Sequence, residues 1–545
     1  MSTVHKRNVD AHIAAPNDLN YNPLDEGDAG LLPLSKQDIE EKPTTKTTSL
    51  KPIDRPAFYV LVLLYLLQGI PVGLAFGSIP FILKSKLSYS QVGIFSLAAY
   101  PYSLKLLWSP IVDAIYSPKI GRRRSWIIPI QTISGIALIA LGSIIDSYLE
   151  DPKKHLTTIT TVFFVLVFFC ATQDIAVDGW ALTCLSKDSL SYASTAQTIG
   201  INSGYFMSFT IFLALSSPDF ANKYLRSQPL DRGLFSLGQY LVFWGWGYLA
   251  VTALLYFVPE DPPHLVKQNQ ARINDEKAKV ESIYNRVSKF DELKNVYYSM
   301  YQVLKLPNVQ TFVVILLTAK FGFQVNEAAT NLKLLEKGLK KEDLSITVLI
   351  DFPFELIFGF YAARWSTGKE PLKPWVFAFG GRLFAAAFAQ VVIYFFPQDG
   401  NVSPMYFLLI IVQHLTGSFM STIQFVSLCA FHTKIADPAI GGTYMTTLNT
   451  LSNYGGTWPR IFILYLIDKL TISECHTLDK KYSILDEADK EKCASIGGSV
   501  FIIRDGYYYT NMICIITGIF ILLWASKKVK HLHSLPQSAW TVSKN

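Results

Sequence analysis

Charged side chains interrupt long apolar segments at several points in this chain of 545 residues. In "ATQDIAVDGWALT" (171–183), two carboxylates, Asp174 and Asp178, follow the apolar run "TTITTVFFVLVFF" and stand one helical turn apart. A charge at the centre of a bilayer costs about 2.5–3.5 kcal/mol on insertion scales, so such residues usually face a cavity or a partner. The spacing therefore predicts one helix face whose carboxylates hold cations or carry protons.

Three cations lie at comparable depth in other apolar segments. They are Lys105 in "YSLKLLWSP", Lys320 in "LLTAKFGFQVNEAAT" and Arg382 in "FGGRLFAAAF". Arginine can bind phosphate through two hydrogen bonds, and lysine adds a compact charge, so three cations around one cavity would suit a polyanionic solute. The alternative is internal pairing with Asp174, Asp178 or Asp113, which would make these cations structural.

Further polar residues in the same segments are candidates to line a cavity or to take part in ion coupling. The predicted set comprises Gln68, Gln173, Asp174, Asp178, Gln197, Asn449 and Asn453. Asp351, Glu355 and Glu327 stand near enough to segment ends for solvation to be the expectation. His414 in "VQHLTG" is either a packed polar residue or a proton carrier.

The elements that must position these residues are apolar segments long enough to cross a bilayer. Only 17% of the residues are charged, against about 25% in a typical soluble domain. About twelve segments approach the 20 residues that a helix needs to span about 30 Å. They lie near 57–83, 89–115, 126–146, 158–182, 193–217, 239–258, 307–330, 345–363, 375–396, 405–431, 442–467 and 507–525. Their length and lack of alternation argue against a membrane β-barrel.

The loops divide the segments into two groups of six. We expect a disordered tail over 1–56, an N-terminal half over 57–258, a charged central loop over 259–306, a C-terminal half over 307–526 and a tail over 527–545. An amphipathic patch in the central loop is either a helix on the membrane surface or a solvated linker.

Basic residues cluster in loops on one side, with "GRRRSW" (121–126) as the clearest group. This bias places that side, and both termini, in the cytosol. The net charge of +7 therefore reflects membrane topology and does not indicate a nucleic-acid partner.

The two halves echo each other, since "TAQTIGINSGY" (195–205) and "TLNTLSNYGGT" (447–457) belong to the fifth segment of each half. Six-helix halves related as parallel repeats are typical of major facilitator transporters, which hold their solute between the halves. We therefore predict an all-α membrane protein with the major facilitator fold. Asp113 followed by Arg122 and Arg123 is similar to the cytosolic gate of that fold, although Gly121 comes later than in the usual pattern.

Two of the six cysteines, Cys475 and Cys493, lie in one loop on the side opposite "GRRRSW". If that side is oxidising, they can pair, and we predict a disulfide over the alternative of two free thiols. A glycosylation sequon at Asn401 falls on the same side, but too close to the membrane for us to expect its use.

Five blocks together resemble the acetyl-coenzyme A transporter family of the endoplasmic reticulum, solute carrier family 33. The blocks, in chain order, are "LQGIPVGLAFGSIPFIL", "SLKLLWSPIVDA", "GRRRSW", "ATQDIAVDGWALT" and "IGGTYMTTLNTLSNYGGTWP". The resemblance implies a major facilitator fold and import of acetyl-CoA from the cytosol into the lumen, in exchange for CoA, to feed lumenal acetylation. It implies no cofactor, since both CoA compounds are cargo, and it is compatible with a homodimer.

CoA compounds carry about four negative charges on their phosphates, which fits the cations above. Their adenine can stack on an aromatic ring, for which Tyr65, Tyr102 and Trp180 are candidates. A proton-coupled symporter of another organic solute is the main alternative, because the family is related to bacterial muropeptide permeases. A membrane-bound acyltransferase with His414 as general base is a third possibility, but the sequence shows no convincing catalytic partner for it. We therefore expect a carrier and not an enzyme.

Overall fold

The computed structural model describes residues 51–117, 120–186, 189, 192–258, 289–366, 370–397, 402–436, 441–477, 481–484 and 487–542. Asn401, residues 1–50 of the predicted N-terminal tail and residues 259–288 of the predicted central loop lie outside these ranges. Within them, helical segments cover all the predicted spans, and we number these spans 1 to 12 in chain order.

The N-terminal half, called here the N half, contains spans 1 to 6. Their bounds are Pro52–Lys84; Tyr89–Phe95, Tyr100–Leu104 and Ser109–Ala114 for span 2; Arg124–Gly142; Pro152–Cys184; Tyr192–Phe206 continuing through Met207–Ile211 to Phe212–Ser216; and Leu237–Leu255. Span 2 is interrupted by 3-10 turns, one of which carries Lys105. Span 1 contains Pro71, and a π turn follows it at Leu74–Ser78.

The C-terminal half, called here the C half, contains spans 7 to 12. Their bounds are Pro307–Glu336, Lys341–Ser366, Leu372–Tyr394, Pro404–Ile435, Gly441–Leu470 and Gly506–Ser534. Span 7 has a 3-10 turn at Lys320–Phe323, so Lys320, like Lys105, lies where its helix is irregular. In the part of the chain that the structure describes, eight of the twelve spans are long and apolar enough to cross a membrane by composition alone. Spans 2, 6, 8 and 11 are the exceptions.

Several predicted boundaries are wrong by five residues or more because local contacts extend the helices, as spans 1 and 12 show. Span 1 begins at Pro52, inside the predicted tail, since the buried carboxylate of Asp54 accepts hydrogen bonds from the backbone and hydroxyl of Ser186 at 3.3 and 2.5 Å. Span 12 continues to Ser534, since Val529 and its buried neighbours pack into the core of the C half.

Small residues let spans 1 and 5 approach closely. A Cβ added at Gly69 would lie 2.9 Å from the Cα of Gly204, which is too close for any side chain. In the C half the matching close approach is made by Gly455 against the backbone of Leu316. The next residue, Gly456, faces the side chain of Lys320 instead, so a Cβ there would lie 3.0 Å from the lysine Nζ.

The two halves meet through span 2 against span 11 and span 5 against span 8. These contacts lie mainly where spans 2 and 8 begin and spans 5 and 11 end. Because successive spans alternate in direction, all these ends lie on one side of the membrane. We call it the disulfide side, and we call the side that carries loop 121–126 the basic side.

The loop between spans 11 and 12 folds into a small sheet that the sequence did not predict. Strands β1 (Ile472–His476), β2 (Lys481–Ile484) and β3 (Ser499–Arg504) are antiparallel in the order β2-β1-β3, with a helix at Glu487–Ser495. Cys475 of β1 and Cys493 of this helix are joined by a disulfide, and both are fully buried. The bond holds the loop helix on the sheet.

Part of the central loop is also helical. The helix Lys289–Lys305 packs against spans 2, 7 and 11, and the hydroxyl of Tyr297 donates a hydrogen bond to the carbonyl of Leu107 at 2.6 Å.

Candidate functional site

A charged cluster in the N half joins spans 2 and 4. The ammonium of Lys105 pairs with Asp174 and lies 3.8 Å from an oxygen of Asp178. The Asp174 side chain is fully buried, whereas that of Asp178 is 41% exposed. One lysine is therefore shared by two carboxylates, as the one-turn spacing of these acids allows.

Three further side chains donate hydrogen bonds to the same carboxylates. Asp178 accepts from the Tyr65 hydroxyl at 2.7 Å and from the Gln197 amide at 2.9 Å. Asp174 accepts a longer bond from the Tyr102 hydroxyl at 3.4 Å. Spans 1, 2 and 5 thus all contribute to holding the acids of span 4.

These contacts bear on the predicted aromatic stacking. Tyr65 and Trp180 are buried in the packed core of the N half, so neither offers an open ring face to an adenine in this conformation. Their stacking role stays a prediction, and it would require a conformation in which their rings are exposed. Tyr102 is half-buried, and its ring lies 5.4 Å from the Lys105 ammonium.

Two glutamines of the predicted set are buried beside this cluster. Gln173 reaches the carbonyl of Leu64 at 3.5 Å, which is long for a hydrogen bond. Gln68 is 1% exposed, and neither atom of its amide has a hydrogen-bond partner among the described residues. A buried amide without a partner is costly, so Gln68 is a candidate to bind a solute or a water molecule.

A second charged cluster lies in the C half. The Arg382 guanidinium pairs with Glu327, donates to the Gln424 amide oxygen at 2.6 Å and lies 3.7 Å above the ring centre of Phe323. Lys320 has no carboxylate within ion-pairing distance among the described residues, and it is close enough to Arg382 for the two charges to repel. This cluster therefore carries an excess of positive charge.

Both cations line one cavity of about 260 Å³, together with Asn453 of span 11. An adjoining cavity of about 290 Å³ shares Arg382 and Glu327 and contains Asp351 and His414. The C half thus offers an open, polar space next to its unpaired lysine.

Other predicted residues are tied to specific partners. Asp351 lies 3.4 Å from a ring nitrogen of His414, and Asn449 bonds the buried His432 at 2.7 Å. Asp351 and Glu327, which were expected to be solvated near an interface, each lie beside a basic side chain, and their depth relative to the interface stays a prediction. The side chain of Glu355 lies outside the described residues.

The predicted gate on the basic side is described only in part. The side chain of Asp113 lies outside the described residues. Arg122 lies 5.9 Å from the ring centre of Tyr116, and the Arg123 guanidinium packs so closely on Gly179 that a Cβ there would collide with it. Arg123 therefore reaches the span that carries Asp178, and its gating role stays a prediction.

With this geometry in place, the comparisons with known proteins decide the family. The model of a family described as acetyl-coenzyme A transporter 1 matches residues 57–371 and 368–542. The chain belongs to this family.

Relatives extend over nearly the whole chain. An uncharacterized membrane protein, YBR220C of Saccharomyces cerevisiae, is 48% identical over 92% of this chain and 99% of its own length. The uncharacterized protein C21B10.09 of Schizosaccharomyces pombe is 39% identical over 96% of both chains. The anhydromuropeptide permease of Escherichia coli is 27% identical over 31% of this chain and 33% of its own.

Solved structures show the same fold at low identity. The nucleoside transporter NupG matches with a TM-score of 0.58 at 11% identity, covering 88% of this chain and 99% of that one. The xylose transporter XylE of Escherichia coli matches with a TM-score of 0.51 at 14% identity, covering 86% and 95%. The predicted helical membrane architecture with the major facilitator fold is confirmed, apart from the small sheet between spans 11 and 12, and this member of the acetyl-coenzyme A transporter family is a membrane transporter and not an enzyme.

A charged network that was not predicted from the sequence joins the halves on the disulfide side. Glu336 of span 7 lies 3.3 Å from the Lys84 ammonium and accepts from the Tyr89 hydroxyl at 2.8 Å. Asp468 of span 11 accepts from the backbone of Tyr89 and Ser90 at 3.2 and 2.5 Å. Asp468 thus binds the first amides of span 2, where the helix dipole favours an anion.

Lys333 anchors this network within the C half, since it lies 2.6 Å from both Glu336 and Asp505. Deeper in the membrane, Ser103 of span 2 and Thr457 of span 11 share a hydrogen bond at 2.6 Å. The halves are therefore closed against each other on the disulfide side. The sequence does show charged residues at the ends of these spans. It does not show which of them pair, because most partners in the other half lie hundreds of positions away in the chain.

Arg460 of span 11 was also missed, although "GGTWPRIFILY" places it inside a predicted span. It is half-buried and has no carboxylate within ion-pairing distance among the described residues. It lies close enough to Tyr205 of span 5 for an electrostatic interaction, so it points toward the N half.

Proposed function

We propose that this protein carries acetyl-CoA across the endoplasmic reticulum membrane, from the cytosol into the lumen, in exchange for CoA. The observation that carries the proposal is the excess of positive charge in the C half, where Lys320 lies beside Arg382 in an open cavity and has no acidic partner among the residues that the structure describes. An uncompensated buried cation is costly, so its retention is understandable if an anionic solute supplies the missing charge. The family's description as acetyl-coenzyme A transporter supports the identity of that solute.

Lys320 and Arg382 would bind phosphate oxygens of the CoA portion. Arg382 already has Glu327 and Gln424 as partners, so phosphate would compete with Glu327 for the guanidinium or share it. Asn453 lines the same cavity and can bond the polar groups of the solute. Lys105 was predicted as a third phosphate-binding cation, and it would have to leave Asp174 to play that part.

The direction of transport follows from the two sides of the membrane. The basic side is the cytosolic side by the positive-inside rule. A disulfide on the opposite side fits an oxidising lumen. With the disulfide side closed by Glu336 and Asp468, the conformation suits loading of acetyl-CoA from the cytosol, and parting of these contacts would release it into the lumen.

The test is uptake of radiolabelled acetyl-CoA by purified protein in liposomes, with and without CoA inside. Exchange predicts that trapped CoA accelerates uptake severalfold, and that liposomes without protein take up nothing. Absence of protein-dependent uptake under both conditions would reject acetyl-CoA as the cargo. Equal uptake with and without trapped CoA would reject obligatory exchange while keeping the cargo.

A proton-coupled symporter is the second candidate, because the N half holds two carboxylates and one lysine. Carboxylates within membrane spans are common members of proton relays, and the Asp178 side chain is 41% exposed. The partial similarity to the anhydromuropeptide permease supports this candidate. An inward proton gradient would then drive solute accumulation, and Asp178→Asn would abolish this response while leaving exchange of solute for solute intact.

A further inference from the structure

Span 11 presents one polar face to the space between the halves. Asn453, Gly456 and Arg460 recur at intervals of three and four residues, which places them on the same helix face. Asn453 lines the cavity that holds Lys320 and Arg382, and Gly456 lies directly against the Lys320 side chain. Arg460 therefore extends this cavity face by one further turn.

The extension runs toward the closed end of the space. Span 11 passes from the basic side to the disulfide side, so Arg460 lies about 6 Å deeper than Gly456 along the helix. The neighbouring Thr457 already meets Ser103 of the N half at 2.6 Å. Arg460 thus lies at the depth where the halves begin to touch.

Nothing in the described part of the chain neutralises Arg460. No carboxylate is within ion-pairing distance, and Tyr205 of the N half is the residue with which it interacts electrostatically. The two nearest clusters differ in this respect, since Lys105 and Arg382 each have a carboxylate partner. Gly456, between Arg460 and Asn453, has no side chain to obstruct the path from one cation to the next.

We propose that Arg460 is a third anion-binding residue, which with Lys320 and Arg382 forms a site for a solute that carries phosphates at two depths. This inference rests on the proposed function and deepens it by adding a residue of span 11 to the phosphate-binding site. Arg460 binds the deepest phosphate and contacts the half that must move when the disulfide side opens.

The experiment measures the affinity of purified full-length protein for CoA and for inorganic pyrophosphate, by calorimetry. The variants are Arg460→Gln, Arg460→Lys and a control, Lys373→Gln, which removes one charge from a side chain that is 81% exposed. A charge-assisted bond to phosphate predicts that Arg460→Gln weakens binding about tenfold or more. Arg460→Lys should lose less, and the control should match wild type.

The thermal midpoint of the ligand-free variants separates binding from folding. We expect Arg460→Gln to unfold within a degree or two of wild type, because no ion pair is broken. Wild-type affinity for both ligands in Arg460→Gln overturns the inference. A large fall of the thermal midpoint in Arg460→Gln, restored in Arg460→Lys without restored binding, also overturns it, since it would make Arg460 structural.

The two proposals can fail separately. If wild type binds pyrophosphate but neither CoA nor acetyl-CoA, the cargo proposed above is wrong, and Arg460 is judged on pyrophosphate alone. If wild type binds no phosphate compound, both proposals are overturned.

Discussion

The N half shares one lysine between two carboxylates, whereas the C half places Lys320, Arg382 and Arg460 near a single one. Among the described residues, only Glu327 lies within ion-pairing distance of any of these three cations. The two halves have the same architecture and carry cations at similar depth. Their clusters therefore differ in net charge because they differ in the number of nearby carboxylates. Span 4 supplies Asp174 and Asp178 on one face, and the corresponding space of the C half contains amides such as Gln424 and Asn453.

This difference suggests that the two halves have different functions in transport. A lysine with two acids carries a net negative charge and can exchange a proton or move as a unit. Cations with too few acids attract an anion. A carrier for a polyanion needs an excess of cations on the surface that faces its solute. The half that responds to binding needs a charged group that can exchange a proton or move as a unit.

The largest effect is expected when the positive excess of the C half is removed. Lys320→Met combined with Arg382→Gln should weaken CoA binding by about a hundredfold or more, since each charge-assisted contact contributes about 1.5–3 kcal/mol. Calorimetry on the purified double variant gives the affinity. The single variant Lys320→Met is the cleaner control, because it leaves no acid unpaired. Binding within threefold of wild type in the double variant would remove these residues from the site.

Making the C half resemble the N half should have the next largest effect. Asn453→Asp adds a carboxylate of nearly the same shape to the cavity that holds Lys320. The new acid would neutralise the lysine and repel phosphate, so we expect CoA affinity to fall about tenfold at pH 7. Unchanged affinity at neutral pH would show that the positive excess is not what binds the solute.

The acids of the N half should separate into one that supports folding and one that supports transport. Asp174 is fully buried and paired with Lys105, so Asp174→Asn should destabilise the protein by about 3–5 kcal/mol. Asp178 is partly exposed, so Asp178→Asn should leave the thermal midpoint nearly unchanged and reduce uptake severalfold. Uptake in liposomes and thermal unfolding of both variants test this. Normal uptake by Asp178→Asn would remove the coupling role of the N half.

The smallest effect on transport is expected outside both clusters. Replacing Cys475 and Cys493 by serine should lower the stability of the 472–504 loop by about 3 kcal/mol and leave uptake close to wild type. Maleimide labelling of the wild-type protein should detect these two thiols only after reduction. Labelling of both without reduction would show that the disulfide does not form.

The sequence allowed prediction of the membrane spans, but of few of the side-chain contacts between them. Segment length and the absence of charge were enough to locate the spans, because the bilayer fixes how long an apolar helix must be. Depth in the membrane likewise identified Lys105, Lys320 and Arg382 as residues that need a partner or a cavity.

Most partners could not be predicted, because they depend on how helices rotate and tilt against each other, and the pairing of Lys105 with Asp174 was foreseen only as an alternative. Lys105 meets Asp174 across two spans, and Glu336 meets Lys84 across the two halves. When the motifs 195–205 and 447–457 are aligned, Gly456 corresponds to Gly204, yet Gly455 makes the corresponding close approach and Gly456 faces a lysine. A shift of one position in a helix turns a residue by about 100° and changes its neighbour entirely. Arg460 lies inside a predicted span, but it became a candidate binding residue only when the structure placed it on the cavity face of span 11.

The central claim is that the polyanion is held by the C half, and the most direct measurement compares two matched variants. Lys320→Met and Lys105→Met each remove one lysine from an irregular turn of one half. CoA affinity of the two purified proteins is measured by calorimetry under the same conditions, with the thermal midpoint as a control for folding. The account predicts that Lys320→Met weakens CoA binding about tenfold or more, while Lys105→Met changes it less than threefold. An equal or larger loss in a folded Lys105→Met protein would contradict the claim and place the phosphates in the N half.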